Sequence, residues 1–526
     1  MLETASTHDV LNQAPPLAPY NVFEADLALQ EALGREGGSW GVDRLRDTGE
    51  LAGTPEAIEH SERAERNEPI LRTHDRYGHR IDRVELDPSW HWCLRQAIER
   101  EIHSLPWRDP QPGAHVVRAG LMFVWSQVNA GVMCPVSMTY SAIPALRESP
   151  ELAAEWEPRL TRPSDEEGAL AGMAMTEKQG GSDVRANTTR AEPAGDGSYE
   201  ITGHKWFCSY PSCDVFLTLA QAPGGLSCLL FESSDPGFRI QRLKDKLGTR
   251  SLPSSEVEFH GVRGQLVGEE GRGVQTIIRM VNHTRLDCLI GSAASMRWGL
   301  AQAVHHARHR SAFGRLLVDQ PAMLSVLADL AIESEAATAA ALRAARAYDE
   351  SDGPFRRFAT AVMKYWVAKR APQHAAEALE CLGGNGYVEE SGMPRLYRDS
   401  PLNSIWEGSG NVAALDVLRA AGREPDGMPA FLAECELARG GNRLLDARLD
   451  RLRSAPEPVD PQFEARRIVE DLALALQASL LVRHAPPPVA DAFCAGRLGD
   501  AGRVFGTLPS SVDAATIVER ALVCAP

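Results

Sequence analysis

Ser404-Ile-Trp-Glu-Gly-Ser-Gly-Asn411 is the stretch on which the reading turns. It follows Leu382-Gly-Gly-Asn-Gly-Tyr387 by one short helix and a loop, and it sets a single acid, Glu407, between an aromatic residue and a glycine turn. A carboxylate beside Trp406 and small residues loses hydration, and a poorly solvated carboxylate is a stronger base than a solvated one. The same pattern suits a helix-capping acid, because a Glu before Gly-Ser-Gly favours the positive end of a helix beginning near Asn411. The company this acid keeps along the chain separates the two readings.

Four motifs precede it in order: Met175-Thr-Glu-Lys-Gln-Gly-Gly-Ser-Asp183, Gly203-His-Lys-Trp-Phe-Cys-Ser209, Arg310-Ser-Ala-Phe-Gly314 and Gly383-Gly-Asn-Gly-Tyr387. Together with Trp406-Glu-Gly-Ser409 they resemble the acyl-CoA dehydrogenase superfamily of flavoproteins. The wording around Thr176 and Glu407, with a tail beyond residue 430, is similar to the AidB-like, alkylation-response branch of that superfamily. The resemblance runs from Asn12 through nearly the whole chain. It implies a mainly α protein with a central β-domain: a helical N-terminal domain (1–169), a β-barrel or sandwich (170–268), a four-helix bundle that holds FAD (269–421) and a C-terminal helical extension (428–526).

The texture of the chain points to the same order. Pro-rich loops such as Ala14-Pro-Pro-Leu-Ala-Pro19 alternate with helical stretches such as Trp90 to His103 and Val116 to Val128. Short β-like runs follow, Tyr199-Glu-Ile-Thr, Val215-Phe-Leu-Thr-Leu and Ser227-Cys-Leu-Leu-Phe, separated by turn residues. Amphipathic helices return from Gly273 to Leu418, and after the turn-rich Gly422-Arg-Glu-Pro-Asp-Gly427 a further helical segment carries Leu432, Leu437, Leu444 and Leu445.

A chain of 526 residues exceeds one ordinary core. With 44% hydrophobic and 24% charged residues and no run of about 18 apolar residues, it reads as globular without a membrane span. Met1-Leu-Glu-Thr-Ala-Ser-Thr-His-Asp9 has no basic flank before an apolar stretch, so no secretory signal is expected and the cytoplasm is the expected compartment. Ten cysteines without a Cys-x-x-Cys pair form neither a disulfide framework nor a zinc pattern, and no metal site is expected. The net charge of −16 repels phosphate backbones and favours a small-molecule or protein partner. Residues 421–526 hold 12 Arg and no Lys against 15 Asp plus Glu, which is no nucleic-acid footprint. Arg448, Arg451 and Arg453, or Arg466 with Arg467, offer a local basic face, but the intervening Asp446, Asp450, Glu464 and Glu470 suit a solvated helix.

No Gly-x-Gly-x-x-Gly follows a strand, so a flavin must be held otherwise than in a Rossmann unit. The resemblance implies that Met175 and Thr176 meet the flavin's pyrimidine edge and that Ser182 lies near a phosphate. It places Phe207 beside the isoalloxazine, where relatives often have Trp, and Ser209 toward N5, where they often have Thr. Arg310 and Phe313 would reach a neighbouring subunit's FAD, with Gln320 carried over from a position one residue later. Gly383 and Gly384 would approach the diphosphate, and Ser409 with Asn411 would contact FAD from the last motif. Each has a plainer reading as turn, strand or helix cap.

By the same resemblance Glu407 is the catalytic base. The family's alternative base position falls on Thr284, which cannot deprotonate a substrate, and Arg285 is expected as electrostatic support. The implied reaction is α,β-dehydrogenation of an acyl-CoA or similar activated acyl substrate. Glu407 takes the α-proton, a hydride leaves for FAD N5, and a homo-oligomer, a homotetramer in preference to a dimer, carries it out. The alternatives are oxidation of a non-thioester, nitrogen-containing substrate, or a DNA-associated protective role. The acyl chain and the electron acceptor, protein or oxygen, are not encoded in these motifs.

Overall fold

The computed structural model describes residues 7–350, 353–454, 458–500 and 502–522. The first six residues of the N-terminal segment read above for a secretory signal lie outside the described residues. The chain divides into two compact units, one formed by Glu56–Cys288 with Ile405–Val412 and the other by Met1–Pro55, Leu289–Ser404 and Ala413–Pro526.

The first of these units contains a hairpin of β1 (Ile70–His74) and β2 (Arg80–Glu85) that the helical reading of residues 1–169 missed. The signal was in its turn. Asp75 accepts from the amides of Tyr77 and His79 at 2.8 and 2.9 Å, an Asx-type turn closed by Gly78. The strands themselves carry charged residues and no apolar alternation, so periodicity gave nothing to see.

Seven strands build the central β-domain: β3 (Ala171–Ala174), β4 (Arg190–Pro193), β5 (Tyr199–Cys208), β6 (Val215–Ala222), β7 (Gly225–Glu232), β8 (Phe238–Leu243) and β9 (Ser255–Val267). Pairings β6–β4, β4–β5, β5–β9, β9–β7 and β7–β6 close a ring, with β3 added on β6 and β8 on β9. A closed ring has no free edge along its course. Six consecutive residues of β6, Val215 to Ala220, are buried, and Phe216, Phe231, Phe238 and Phe259 stack within the ring with neighbouring centroids 5.1–6.1 Å apart. Burial alternates at the start of β5, where Tyr199 and Ile201 are buried, and a register shift between Lys205 and Cys208 reverses the phase, so Cys208 turns inward while Phe207 is 47% exposed.

The same unit holds the helices Ala114–Ser126 and Met133–Leu146, nearly all of whose residues are buried. Arg118, buried on the first of them, pairs with Asp287 and lies 3.7 Å over the Tyr140 ring. Burying a guanidinium costs several kcal/mol in lost hydration, which a counter-charge offsets.

The other unit is helical, built on Pro321–Asp349 and Gly353–Cys381. The extension helices from Gly427–Glu436 to Ala514–Arg520 belong to it as well. They are tied by buried polar contacts: Glu333 accepts from Arg370 at 3.1 Å and from Arg497 at 2.8 Å, and Asp329 accepts from Arg497 at 2.6 Å and from the Gly506 amide at 2.9 Å. Trp366 Nε1 donates to Gln477 at 3.0 Å. The described cysteines are buried and form no disulfide, and no helix among the described residues is long and apolar enough to cross a membrane.

Candidate active site

Glu407 sits at the turn before the helix Gly410–Arg423, with φ +55, followed by Gly408 at φ +107. A left-handed conformation costs a non-glycine residue roughly 1–2 kcal/mol, so the surroundings must hold it. Two consecutive residues of the helix Gly273–His309 do so. Thr284 Oγ1 donates to the Glu407 carboxylate at 2.7 Å, and Arg285 Nε donates to the Glu407 backbone carbonyl at 3.0 Å. A Cβ on Gly408 would stand 3.4 Å from Arg285 Nη2, and no L residue adopts its φ without strain. Thr284 and Arg285 are buried, while Glu407 is half-buried.

Behind this turn lies Cys134, from the helix Met133–Leu146. Burial pushes its thiol up to about 12 against the pull of a hydrogen bond with Ser209, and it feels the charges of Glu407 and Lys246. Cys134 is thus a neutral thiol bonded to Ser209, the residue after β5, and within the field of Glu407, and nothing in the sequence singled it out.

The loop Met175–Asp183 is anchored by Glu177. Its carboxylate accepts from Lys205 Nζ at 2.9 Å, from the Thr188 and Thr189 amides at 2.7 and 3.1 Å, from the Thr188 hydroxyl at 3.0 Å and from Gln179 at 2.6 Å. Burial acts upward on Glu177, but Lys205 and these donors outweigh it and hold the carboxyl at about 2. Burial lowers Lys205 to about 8, which leaves it a cation at neutral pH. The pair joins the first two motifs, and Trp206 N donates to Thr176 O at 2.7 Å, so the backbone at Thr176 runs beside the strand that carries Phe207. Gly181 packs so tightly on Thr176 that a Cβ would lie 2.5 Å from its hydroxyl oxygen. Ser182 and Asn411 are exposed and Ser409 is half-buried. Lys244 lies 3.2 Å from the Trp206 ring centroid and 4.6 Å from that of Phe207, and pairs with Glu256 at 2.8 Å.

In the other unit, Arg310, Phe313 and Gln320 come together on the hairpin Ser311–Leu316. Gln320 donates to the Ala312 carbonyl at 3.1 Å, Arg310 donates to the Asn12 carbonyl, and Phe313, at φ +53, is 99% exposed. Gly383 and Gly384 follow the helix Gly353–Cys381, and a Cβ on either would meet nothing within 4 Å, so their backbone is open to approach.

Three of the five arginines offered as a basic face pair with acids: Arg448 with Asp471, Arg453 with Glu436 at 3.0 Å, and Arg467 with Glu464. Such pairing removes charge from any phosphate contact.

Residues 12–166 match the family described as Adaptive response protein AidB N-terminal domain, residues 172–262 the acyl-CoA dehydrogenase middle domain and residues 271–422 the acyl-CoA dehydrogenase C-terminal domain. AidB of Escherichia coli (strain K12) is 41% identical over 519 residues, covering 95% of this chain and 96% of that one. Acyl-CoA dehydrogenase family member 11 of Caenorhabditis elegans is 30% identical over 480 residues, covering 81% of this chain and 78% of that one. The crystal structure of Caenorhabditis elegans ACDH-11 in complex with C11-CoA superposes with a TM-score of 0.88 at 26% identity, covering 99% of this chain and 98% of that one.

Proposed function

Because the chain belongs to the acyl-CoA dehydrogenase family of FAD-dependent oxidoreductases, in its AidB-like branch, we propose that it desaturates an acyl-CoA between Cα and Cβ with Glu407 as the base. The observation that carries this reading is the Glu407 turn: a left-handed acid gripped at its carboxylate by Thr284 and at its carbonyl by Arg285. A base so fixed meets its proton without reorganising.

The donor set fits FAD. In one unit Phe207 offers an exposed aromatic face and Thr176 and Ser209 offer hydroxyls; in the other, taken by itself, the backbone at Gly383 and Gly384 is open. In this reading Met175 and Thr176 hold the pyrimidine edge, Ser182 a phosphate, Phe207 the ring face and Ser209 the N5 edge. Ser409 and Asn411 complete the contacts, while Arg310, Phe313 and Gln320 serve the FAD of a second copy. When bound, FAD supplies the acceptor for the β-hydrogen, which leaves the substrate as hydride.

The chain's own residues do the rest. Glu407 removes the α-proton, and its backbone N–H donates to the carbonyl oxygen on which enolate charge develops. Arg285 keeps the turn in register, and neutral Cys134 adds no competing charge to the carboxylate. The C11-CoA bound by the Caenorhabditis elegans protein favours a fatty acyl thioester as the substrate class.

Anaerobic mixing with short, branched and long acyl-CoAs, followed at the flavin band near about 450 nm, tests this. At least one thioester is expected to bleach the wild-type flavin, while Glu407→Gln retains FAD and bleaches at least about a hundredfold more slowly, the range for loss of a positioned base. Bleaching of Glu407→Gln at the wild-type rate would remove the base assignment.

A further inference from the structure

Thr284 cannot itself act as a base, yet its hydroxyl has two acceptors and one proton to give. Oγ1 lies 2.7 Å from Glu407 Oε2 and 3.1 Å from the Val281 carbonyl in the turn of helix before it. A Thr in mid-helix commonly returns its proton to such a carbonyl. Here the nearer partner is the carboxylate, and a hydrogen bond to an ionised acceptor is the stronger of the two.

We propose that Thr284 is a positioning residue that sets the proton affinity of Glu407 by serving both of its protonation states. This rests on the reading of Glu407 as the base. While Glu407 is ionised, the Thr284 hydroxyl donates to Oε2 and stabilises the charge, which keeps the base from capturing a proton from solvent. Once Glu407 has accepted the substrate proton, its carboxyl O–H donates to Oγ1 and the Thr284 proton turns to Val281. Neither state strands a buried hydroxyl or carbonyl, and the exchange needs only rotation of an O–H bond.

Three further groups belong to the surroundings of this turn. Arg285, on the same helix, spends its Nε on the Glu407 backbone carbonyl. Cys134, from the helix Met133–Leu146, is neutral, and Lys246, from the loop after β8, acts on Cys134 and donates to the Leu252 carbonyl. All three stay in place when residue 284 alone is changed, so the effect of that change reports the hydroxyl.

Thr284→Val keeps the side-chain shape and removes the hydroxyl, and Thr284→Ser restores it. The protonated-carboxyl band of Glu407, assigned in the infrared by its loss in Glu407→Gln, is titrated in the FAD-loaded wild type and both variants. The pH profile of flavin bleaching is recorded beside it. The midpoint is expected to rise by about one pH unit or more in Thr284→Val, the size set by a hydrogen bond to a charged group, with Thr284→Ser near wild type. The acidic limb of the bleaching profile should move up by the same amount in Thr284→Val and stay near wild type in Thr284→Ser. An unmoved midpoint in Thr284→Val overturns the proposal, and so does an equal shift in both variants. Failure of the base reading is seen separately, as undiminished bleaching by Glu407→Gln, because the infrared titration does not require turnover.

Discussion

Changing Lys205 to Met removes the cation from an ion pair whose two side chains are both 0% exposed. Glu177 then keeps four of its five donors, from Thr188, Thr189 and Gln179, but no counter-charge. Removing one partner of a buried pair costs about 3–5 kcal/mol. The four remaining donors, each worth about 1 kcal/mol net, place the loss near the lower end, about 3 kcal/mol. With a urea dependence of about 3 kcal/mol per molar, the unfolding midpoint should fall by about 1 M. FAD per chain should fall with it, because the loop from Met175 to Asp183 loses its anchor. The double variant Glu177→Gln with Lys205→Met removes both charges, and a Gln carbonyl still accepts from the Thr188 and Thr189 amides. It should therefore recover most of the loss in a urea titration followed by tryptophan fluorescence and a flavin absorbance count. The reasoning is refuted if Lys205→Met unfolds at the wild-type midpoint with full FAD, or if the double variant is no better than the single.

Glu333 is pushed up by burial, but Arg370 and Arg497 outweigh that and hold it at about 2. A carboxyl lowered on folding contributes stability that is fully present above its unfolded value of 4.5 and is lost as pH falls toward 2, here about 3 kcal/mol. Urea midpoints measured across that window should fall less steeply in Glu333→Gln than in wild type, and parallel curves would sink the assignment. Phe313→Ala removes a side chain that is 99% exposed within its own chain. Unfolding should shift by less than about 0.5 kcal/mol, while light scattering and flavin absorbance show a smaller assembly or lost FAD. Unchanged values in both would mean that Phe313 serves no second copy.

The order of helical and β segments was legible because periodicity and turn residues repeat over long windows, as in Val215–Ala222, whose buried run reads directly as a core strand. The last motif was legible as a glycine turn before a helix, expected near Asn411 and beginning at Gly410, whereas the left-handed backbone at Glu407 was not. What escaped were partners distant in sequence. Glu177 and Lys205 lie in two separate motifs, and only the closed ring brings them to 2.9 Å. Thr284 cannot take a proton by its own chemistry, and its contact with Glu407 spans 123 residues, beyond the reach of any local pattern. Cys134 left no sequence signal, since a lone Cys in an apolar helix reads as filler. The hairpin at residues 70–85 shows the opposite failure, a structure carried by its turn rather than by any apolar pattern.

Asp329, a bundle residue with 1% exposure, takes its hydrogen bonds from Arg497 and Gly506, both contributed by the extension. The tail is therefore a cover as much as an appendage. Cutting the chain before Arg497 would bare a carboxylate that is now sealed and take away its cation, so the bundle and the extension stand or fall together.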